Sequence, residues 1–387
     1  MRALVCNIIY TGIEKLDNHA ILIDDNGIIS SVTPANKIRP DVECEKIDSY
    51  CIAPGFIDLQ VNGSGGAMFS NTPDVKTIST IAQIQHSSGV TGFLPTIISS
   101  QIHIMDKALA SINKAINEIP GILGIHYEGP FLNPKNAGIH SVKNICSNFE
   151  KIDTIITPCD LGKTLVTLAP ECVSIESIER LVSKGVIVAA GHTSAGPEEL
   201  SKALKAGLTG ITHLFNAMEQ MNSRSPGTVG GALAEDNLWC SIITDGYHVH
   251  KTNIASAWRA KPRGKLLLVS DGMPPTGINY IKKFKADNNE FFVKEGRCLT
   301  SDGKLAGAIL TLDKAVRFCV HEVGIPIDEA LRMASTYPAQ AIKEDNHRGL
   351  IAPKYIADLV SLDKDLKPRN LWIGGKSINI LSNTGEN

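Results

Sequence analysis

The sequence predicts an α/β fold, a (β/α)8 TIM barrel carrying a small β-sandwich domain formed by both chain ends. Three observations carry that expectation. Between Cys51 and Pro274, eight short apolar runs alternate with spans of helical periodicity. The runs are rich in Val, Ile and Leu without clean polar alternation, as in parallel strands buried on both faces. The chain ends lack this alternation and read as short strands separated by turns. A doubly wound open sheet shares the α/β rhythm, but eight strands with crossover helices in about 220 residues is the barrel's count.

The elements follow in order. Residues 1–50 contain strand-like segments with turns at "DDNG" and "TPAN". The opening "MRALVCNIIYTG" lacks a signal peptide's long apolar core and small-residue cleavage site, so it reads as the first strand. The eight runs are "CIAPGFIDLQV", "GVTGFLPTII", "GILGIHYEGPFL", "TLVTLAP", "GVIVAAGHT", "GITHLFNAM", "LWCSIITDGYHV" and "KLLLVSDGMP". After the first run, "TPDVKTISTIAQIQHSSG" offers Thr72 as N-cap and Pro73 at the first helical position. Val75, Ile78, Ile81, Ala82 and Ile84 share one face, and Gly89 closes the span. "GPEELSKALKAG" starts with Pro197, Glu198 and Glu199 and turns Leu200, Ala203 and Leu204 inward. Residues 280–304 read as a hairpin inserted after the eighth strand, and 311–344 as two late helices. Residues 349–376 return to strand character. The expected division is therefore 1–53 plus 346–387 for the small β domain and 54–345 for the barrel.

Composition narrows the function classes. The chain of 387 residues is 43% hydrophobic and 20% charged, which is ordinary for a soluble globular enzyme. A net charge of −2 without any long basic run argues against nucleic acid or an anionic membrane as partner. No apolar run reaches the roughly 18 residues of a membrane helix. Nine scattered cysteines without a C-x-x-C pair fit reduced, buried thiols in a cytoplasmic protein.

In a barrel, catalytic side chains stand where strands finish. Those ends carry Gln60 and Asn62, Glu128, His192, His213, His248 and Asp271. One carboxylate and two imidazoles form a common three-ligand set for a divalent metal, with a position left open for water. A final aspartate beside that water can take its proton and pass it on. A lone histidine in an apolar strand is usually a hydrogen-bonded core residue. Four such polar groups at equivalent strand ends are harder to bury without function, since each unpaired one costs several kcal/mol. His19, His86, His103, His321 and His347 fall outside strand ends and read as structural. His126 lies one layer below Glu128 and reads as a support beneath the site. Gln60 and Asn62 share a strand face at a metal-like spacing, but neutral amides are poor ligands.

Several stretches carry a resemblance. "APGFIDLQVNG", "HYEGPFLNPKNAGIH", "GHTSA", "THLFNAM", "GTVGGAL", "DGYHV", "VSDGMPP", "GKLAGAILTL" and the closing "ADLVSL…GGK" resemble, in order, the amidohydrolase superfamily. Within it they look like the N-acetylglucosamine-6-phosphate deacetylases. The resemblance implies one divalent metal per subunit, Zn2+ foremost and Fe2+, Mn2+ or Co2+ also acceptable, on Glu128, His192 and His213. It implies that Gln60 and Asn62 replace the His-x-His pair that holds a second metal elsewhere in the superfamily. Asp271 would act as general base and then general acid, and His140 would polarise the acetyl carbonyl. Ile139, Leu305, Ala306 and Gly307 would contact the substrate. Backbone groups at Asn216 and Ala217, with Arg224 and His248, would hold a phosphate. Arg224 and His248 would reach the site of the neighbouring subunit of a homodimer. The expected substrate is a phosphorylated amino sugar, N-acetyl-D-glucosamine 6-phosphate, cleaved in amino-sugar catabolism. The chain departs from the family pattern at Tyr127, Gly272 and Ser225, where leucine, alanine and glutamate are usual. A different amidohydrolase substrate, a cyclic amide or N-acyl amino acid, and a catalytically silent barrel subunit are the competing readings.

Overall fold

The computed structural model describes residues 1–146, 152–286 and 289–380. Residues 381–387, assigned from sequence to the small β domain, lie outside the described residues.

Eight strands build the central sheet: β1 (Phe56–Val61), β2 (Val90–Ile98), β3 (Gly124–Glu128), β4 (Lys163–Leu168), β5 (Ile187–Ala190), β6 (Gly210–Ile211), β7 (Trp239–Ile242) and β8 (Leu266–Leu268). They follow one another in chain order and pair in parallel. Closure comes from the backbone past β8. Val61 bridges Gly272 in parallel, and the Gly63 N–H donates to the Gly272 carbonyl at 2.8 Å. Every residue of β1 and β2 is buried, as a sheet covered on both faces requires.

The helix after β1 runs from Val75 to Ser87, and its cap is Asp74, not Thr72. The Asp74 carboxylate accepts from the Thr77 N–H at 2.8 Å, so Pro73 precedes the helix. An aspartate there satisfies an orphan N–H and also favours the positive end of the helix dipole, which threonine cannot. Pro197–Lys205 matches its expected span, with Leu200 and Ala203 buried and the Glu199 carboxylate accepting from the Gly196 N–H.

Two late features are richer than expected. The insertion is a three-stranded antiparallel sheet, Lys283–Ala286, Asn289–Lys294 and Arg297–Thr300, rather than a hairpin. Glu295 and Gly296 have φ of 50° and 73°, a two-residue turn of the type that matches strand twist and adds the third strand. The helical end holds Leu312–Phe318, Ile327–Ala334 and Thr336–Ala341 rather than two helices, with a break at Ser335.

The chain ends build one sheet region. Cys51–Pro54 pairs antiparallel with Leu359–Leu362, which ties the N-terminal strands to those that follow the barrel. Leu4, Ile9, Ile21, Ile52, Leu359 and Trp372 share a core there. The nine cysteines are free, and Cys6, Cys51, Cys159, Cys240, Cys298 and Cys319 are buried. No helix among the described residues is long and apolar enough to cross a membrane.

Trp372 is 1% exposed in that core. Trp372→Ala should therefore lower unfolding free energy by about 3–5 kcal/mol, through lost burial and a cavity. The shift of the denaturant midpoint at constant slope measures it.

Candidate active site

Strand ends place the polar cluster. Glu128 closes β3, while His192, His213 and Asp271 lie just past β5, β6 and β8. The last three have φ of 49°, 36° and 49°, a left-handed conformation that costs non-glycine residues roughly 1–3 kcal/mol each. Neighbouring elements hold them in it. The His192 carbonyl accepts from the Asn133 N–H at 2.9 Å, and the His213 N–H donates to Ser241 Oγ at 2.8 Å. The Asp271 carbonyl accepts from the Ala308 N–H at 3.0 Å. These turns bring side chains that leave separate strands to one point.

That point is Glu128 Oε1. It lies 3.2 Å from His192 Nε2 and 3.0 Å from His213 Nε2, and the two imidazole nitrogens are 3.1 Å apart. Ligand atoms about 2.0–2.1 Å from a tetrahedral ion lie roughly 3.3 Å from one another, so the spacing fits a shared cation. Donor chemistry agrees. His192 Nδ1 lies 2.8 Å from the Asn136 carbonyl and must donate to it, which leaves a lone pair on Nε2.

His140 joins Glu128 and His192 in a second possible three-ligand group. Its tautomer argues for a different part. The Ser99 N–H donates to His140 Nδ1 at 3.2 Å, so the neutral ring carries its proton on Nε2. Nε2 stands 3.6 Å from Glu128 Oε2 with no hydrogen-bond partner among the described residues. A protonated Nε2 is a hydrogen-bond donor and cannot ligate a metal.

The amides of β1 have a defined place. Gln60 Nε2 donates to Glu128 Oε1 at 2.7 Å and to Asp271 Oδ1 at 3.1 Å, and Asn62 Nδ2 donates to Asp271 Oδ1 at 2.7 Å. They separate two buried carboxylates. Burial, followed by the charge of Glu128, pushes the Asp271 carboxyl up to about 8. Burial would raise Glu128 as well, but the surrounding imidazoles of His140, His192 and His213 hold it well below the usual range. Burial and then repulsion from His192 bring His140 down to about 4, so its ring is neutral.

A cavity of about 530 Å3 opens above the cluster. Of the expected substrate residues, Ile139, His140, Asn216, Ala217, His248, Leu305 and Gly307 line it. Ala306 does not; it is fully buried among Met273, Phe291 and Cys298. The Asn216 N–H is engaged by the His213 carbonyl at 2.9 Å, so it is no anion donor in this conformation. Arg224 is exposed and outside the cavity lining, although Asn222 on the same loop reaches it. His248 stands in its own chain's cavity wall, on the loop after β7.

Sequence reading missed Lys135, Glu219 and Asn222 in the wall, and Ser99 and Asp245 behind His140 and His248. Asp245 was within reach, three residues before a singled-out histidine. Ser99 carries no sequence signal for its contact, which spans 41 positions. A second cavity, about 400 Å3, opens where β8 begins, but its buried Arg332 is already paired with Asp328 and Glu329. The chemistry is at the other end.

A parallel eight-stranded barrel with carboxylates and imidazoles converging at its C-terminal mouth is a metal-dependent hydrolase architecture. The profile of the Amidohydrolase family matches residues 51–379, and that of the NagA composite domain matches 1–48. The chain belongs to the amidohydrolase family. It is 38% identical to N-acetylgalactosamine-6-phosphate deacetylase of Shewanella sp. (strain ANA-3), over 94% of this chain and 92% of that one. It is 31% identical to N-acetylglucosamine-6-phosphate deacetylase of Haemophilus influenzae, covering 97% and 98%. The crystal structure of N-acetylglucosamine-6-phosphate deacetylase from Pasteurella multocida superposes with a TM-score of 0.91 at 33% identity, over 97% of this chain and 99% of that one.

With amides at Gln60 and Asn62 already donating to the carboxylates, elemental analysis of purified protein should give about one tightly held divalent ion per chain. His192→Ala should lose that ion on dialysis and lower the thermal midpoint. Two tightly held ions, or full retention in the variant, would contradict this ligand geometry.

Proposed function

We propose that the chain hydrolyses the acetamide of N-acetyl-D-glucosamine 6-phosphate, giving D-glucosamine 6-phosphate and acetate in cytoplasmic amino-sugar catabolism. The observation that carries the reading is the convergence of Asp271, which a bound cation would hold as the proton-accepting carboxylate, and His140, a proton donor, with the Glu128–His192–His213 cluster in one cavity wall. A divalent cation on that cluster, zinc foremost, would supply Lewis acidity and orient the attacking water. Asp271 takes the proton from the water and delivers it to the departing amine nitrogen. Gln60 and Asn62 grip Asp271 Oδ1, which leaves Oδ2 to meet the water. His140 Nε2–H donates to the acetyl oxygen as negative charge develops there. His248, in the cavity wall, reads the 6-phosphate, and Leu305 and Gly307 lie against the sugar.

Support from relatives is consistent. A structure from Mycobacterium smegmatis, similar with a TM-score of 0.89 at 25% identity, is a complex with N-acetyl-D-glucosamine-6-phosphate. The Shewanella relative favours a second reading, the galacto epimer, which differs in the orientation of one hydroxyl. Acetate release should be compared for both epimers, each with and without the 6-phosphate, on metal-replete protein. The gluco 6-phosphate should lead in kcat/KM. A lead for the galacto ester establishes the second reading, and no turnover of either phosphate ester overturns both.

Asp271→Asn keeps the shape and removes the proton acceptor, so kcat should fall by roughly 10²–10⁴ while the metal content stays near the wild-type value. Near-normal turnover would remove Asp271 from the general-base role.

We also assign Arg224 to the neighbouring active site of a homodimer, since it is exposed on a loop outside its own cavity. Mixing Asp271→Asn with Arg224→Ala under subunit exchange should restore activity at about a quarter of the sites, because half the dimers are mixed and one site in each is intact. No recovery after confirmed exchange would place Arg224 in its own chain's site or outside catalysis.

A further inference from the structure

Asp245 has no part in the chemistry above, and we propose that it is a positioning residue. In this proposal it orients the His248 ring and balances its charge, so that Nε2 presents a proton to the substrate's 6-phosphate. The inference rests on the proposed function and deepens it.

Asp245 follows β7 in the stretch "TDGYHV". Its Oδ1 accepts from the N–H groups of Tyr247 and His248, each at 2.8 Å, which closes a tight loop. Its Oδ2 lies 2.7 Å from His248 Nδ1. The two side chains are 12% and 6% exposed, so the pair is shielded from solvent. Gly246 makes the loop possible. Its φ is 77°, and a Cβ there would meet the Phe318 ring at 2.8 Å. A larger residue could not bring Asp245 and His248 together in this way.

The orientation has a chemical consequence. A carboxylate can only accept, so His248 Nδ1 carries a proton. Nε2 is the remaining atom. It is buried, has no partner among the described residues, and belongs to a ring that lines the substrate cavity. A ring neutral with Nδ1–H would turn a lone pair toward phosphate oxygens and repel them. A ring protonated at both nitrogens donates to the phosphate on one side and to Asp245 on the other, a charge-assisted chain. Burial alone would raise the Asp245 carboxyl, but the hydrogen bond and attraction of His248, with the two amides, hold it below the usual range. Lys135 and Glu219 share the cavity wall, and neither bonds to this pair. Among the described ionisable groups of the wall, Asp245 makes a hydrogen bond or ion pair with His248 alone.

The test is a double-mutant cycle read as a substrate ratio. Asp245→Asn keeps an oxygen for the two backbone amides and removes the charge behind the ring. His248→Gln keeps a neutral donor. For each variant and the double variant, kcat and KM are measured for the N-acetylated sugar with and without its 6-phosphate. Asp245→Asn should lower the ratio of the two kcat/KM values about tenfold or more, with the loss in KM rather than kcat. In the His248→Gln background it should change the ratio by less than about twofold, because the residue acts through His248. Equal losses for both sugars, or an equal drop of the ratio in both backgrounds, would make Asp245 merely structural and overturn the inference. Wild-type protein that does not distinguish the two sugars overturns the phosphate reading and this inference together. Wild-type discrimination that Asp245→Asn leaves intact overturns this inference alone.

Discussion

Everything at the barrel mouth is arranged around one buried carboxylate, that of Glu128. It is 3% exposed and surrounded within 3.6 Å by Gln60, His140, His192 and His213. A charge so buried is costly unless other groups surround it. The barrel meets that requirement by turning three chain segments sharply where their strands end. The left-handed backbone at His192, His213 and Asp271 is the visible consequence. Local propensity disfavours all three conformations, so the surrounding hydrogen bonds and the closed sheet must over-determine them.

The second constraint is charge separation. Glu128 and Asp271 are both buried and share Gln60 Nε2 as a donor. Two imidazoles at the β1 positions would face the same space as ligands. Two amides put N–H groups between the carboxylates instead and leave the converging cluster to β3, β5 and β6. The backbone below is tied as well. Asp58 Oδ1 accepts from the N–H groups of Gln60 and Ser270, each at 3.2 Å, so the start and the end of the barrel share one carboxylate. Burial pushes Asp58 up to about 6 against those hydrogen bonds. Closure and site geometry are therefore one problem, solved by the same residues.

This explains what could be read in advance. Eight buried parallel strands leave eight apolar runs, and each run ends where its side chains become polar, so Glu128, His192, His213 and Asp271 were legible by position. The cluster's inner geometry was not. The tautomers of His192 and His140 are set by the Asn136 carbonyl and the Ser99 N–H, and backbone groups look alike in any sequence. Helix ends were legible to within a residue or two, with Asp74 outcompeting Thr72 because its carboxylate both accepts and carries charge. The third strand of the insertion was hidden because a Glu-Gly turn is a weaker signal than Asn-Gly. His248 was legible as a strand-end residue, but the path of its loop was not, because it depends on packing, here Gly246 against Phe318.

Directly beneath Glu128 the surroundings of His126 are polar but neutral. His126 is fully buried, with Nδ1 3.3 Å from Thr96 Oγ1 and Nε2 2.8 Å from Thr167 Oγ1, and Thr167 continues to Thr212 at 2.7 Å. Burial brings His126 down to about 4, so the ring stays uncharged beside Glu128. Each hydroxyl in this chain can turn to donate or accept, which satisfies the ring in either tautomer without adding charge. A further ionic group in place of His126 would raise the cost of burying Glu128. A purely apolar layer would leave the barrel without hydrogen-bonded support for the residues above. Neutral, rotatable donors below and fixed charges above let a barrel of buried strands end in a chemically active mouth.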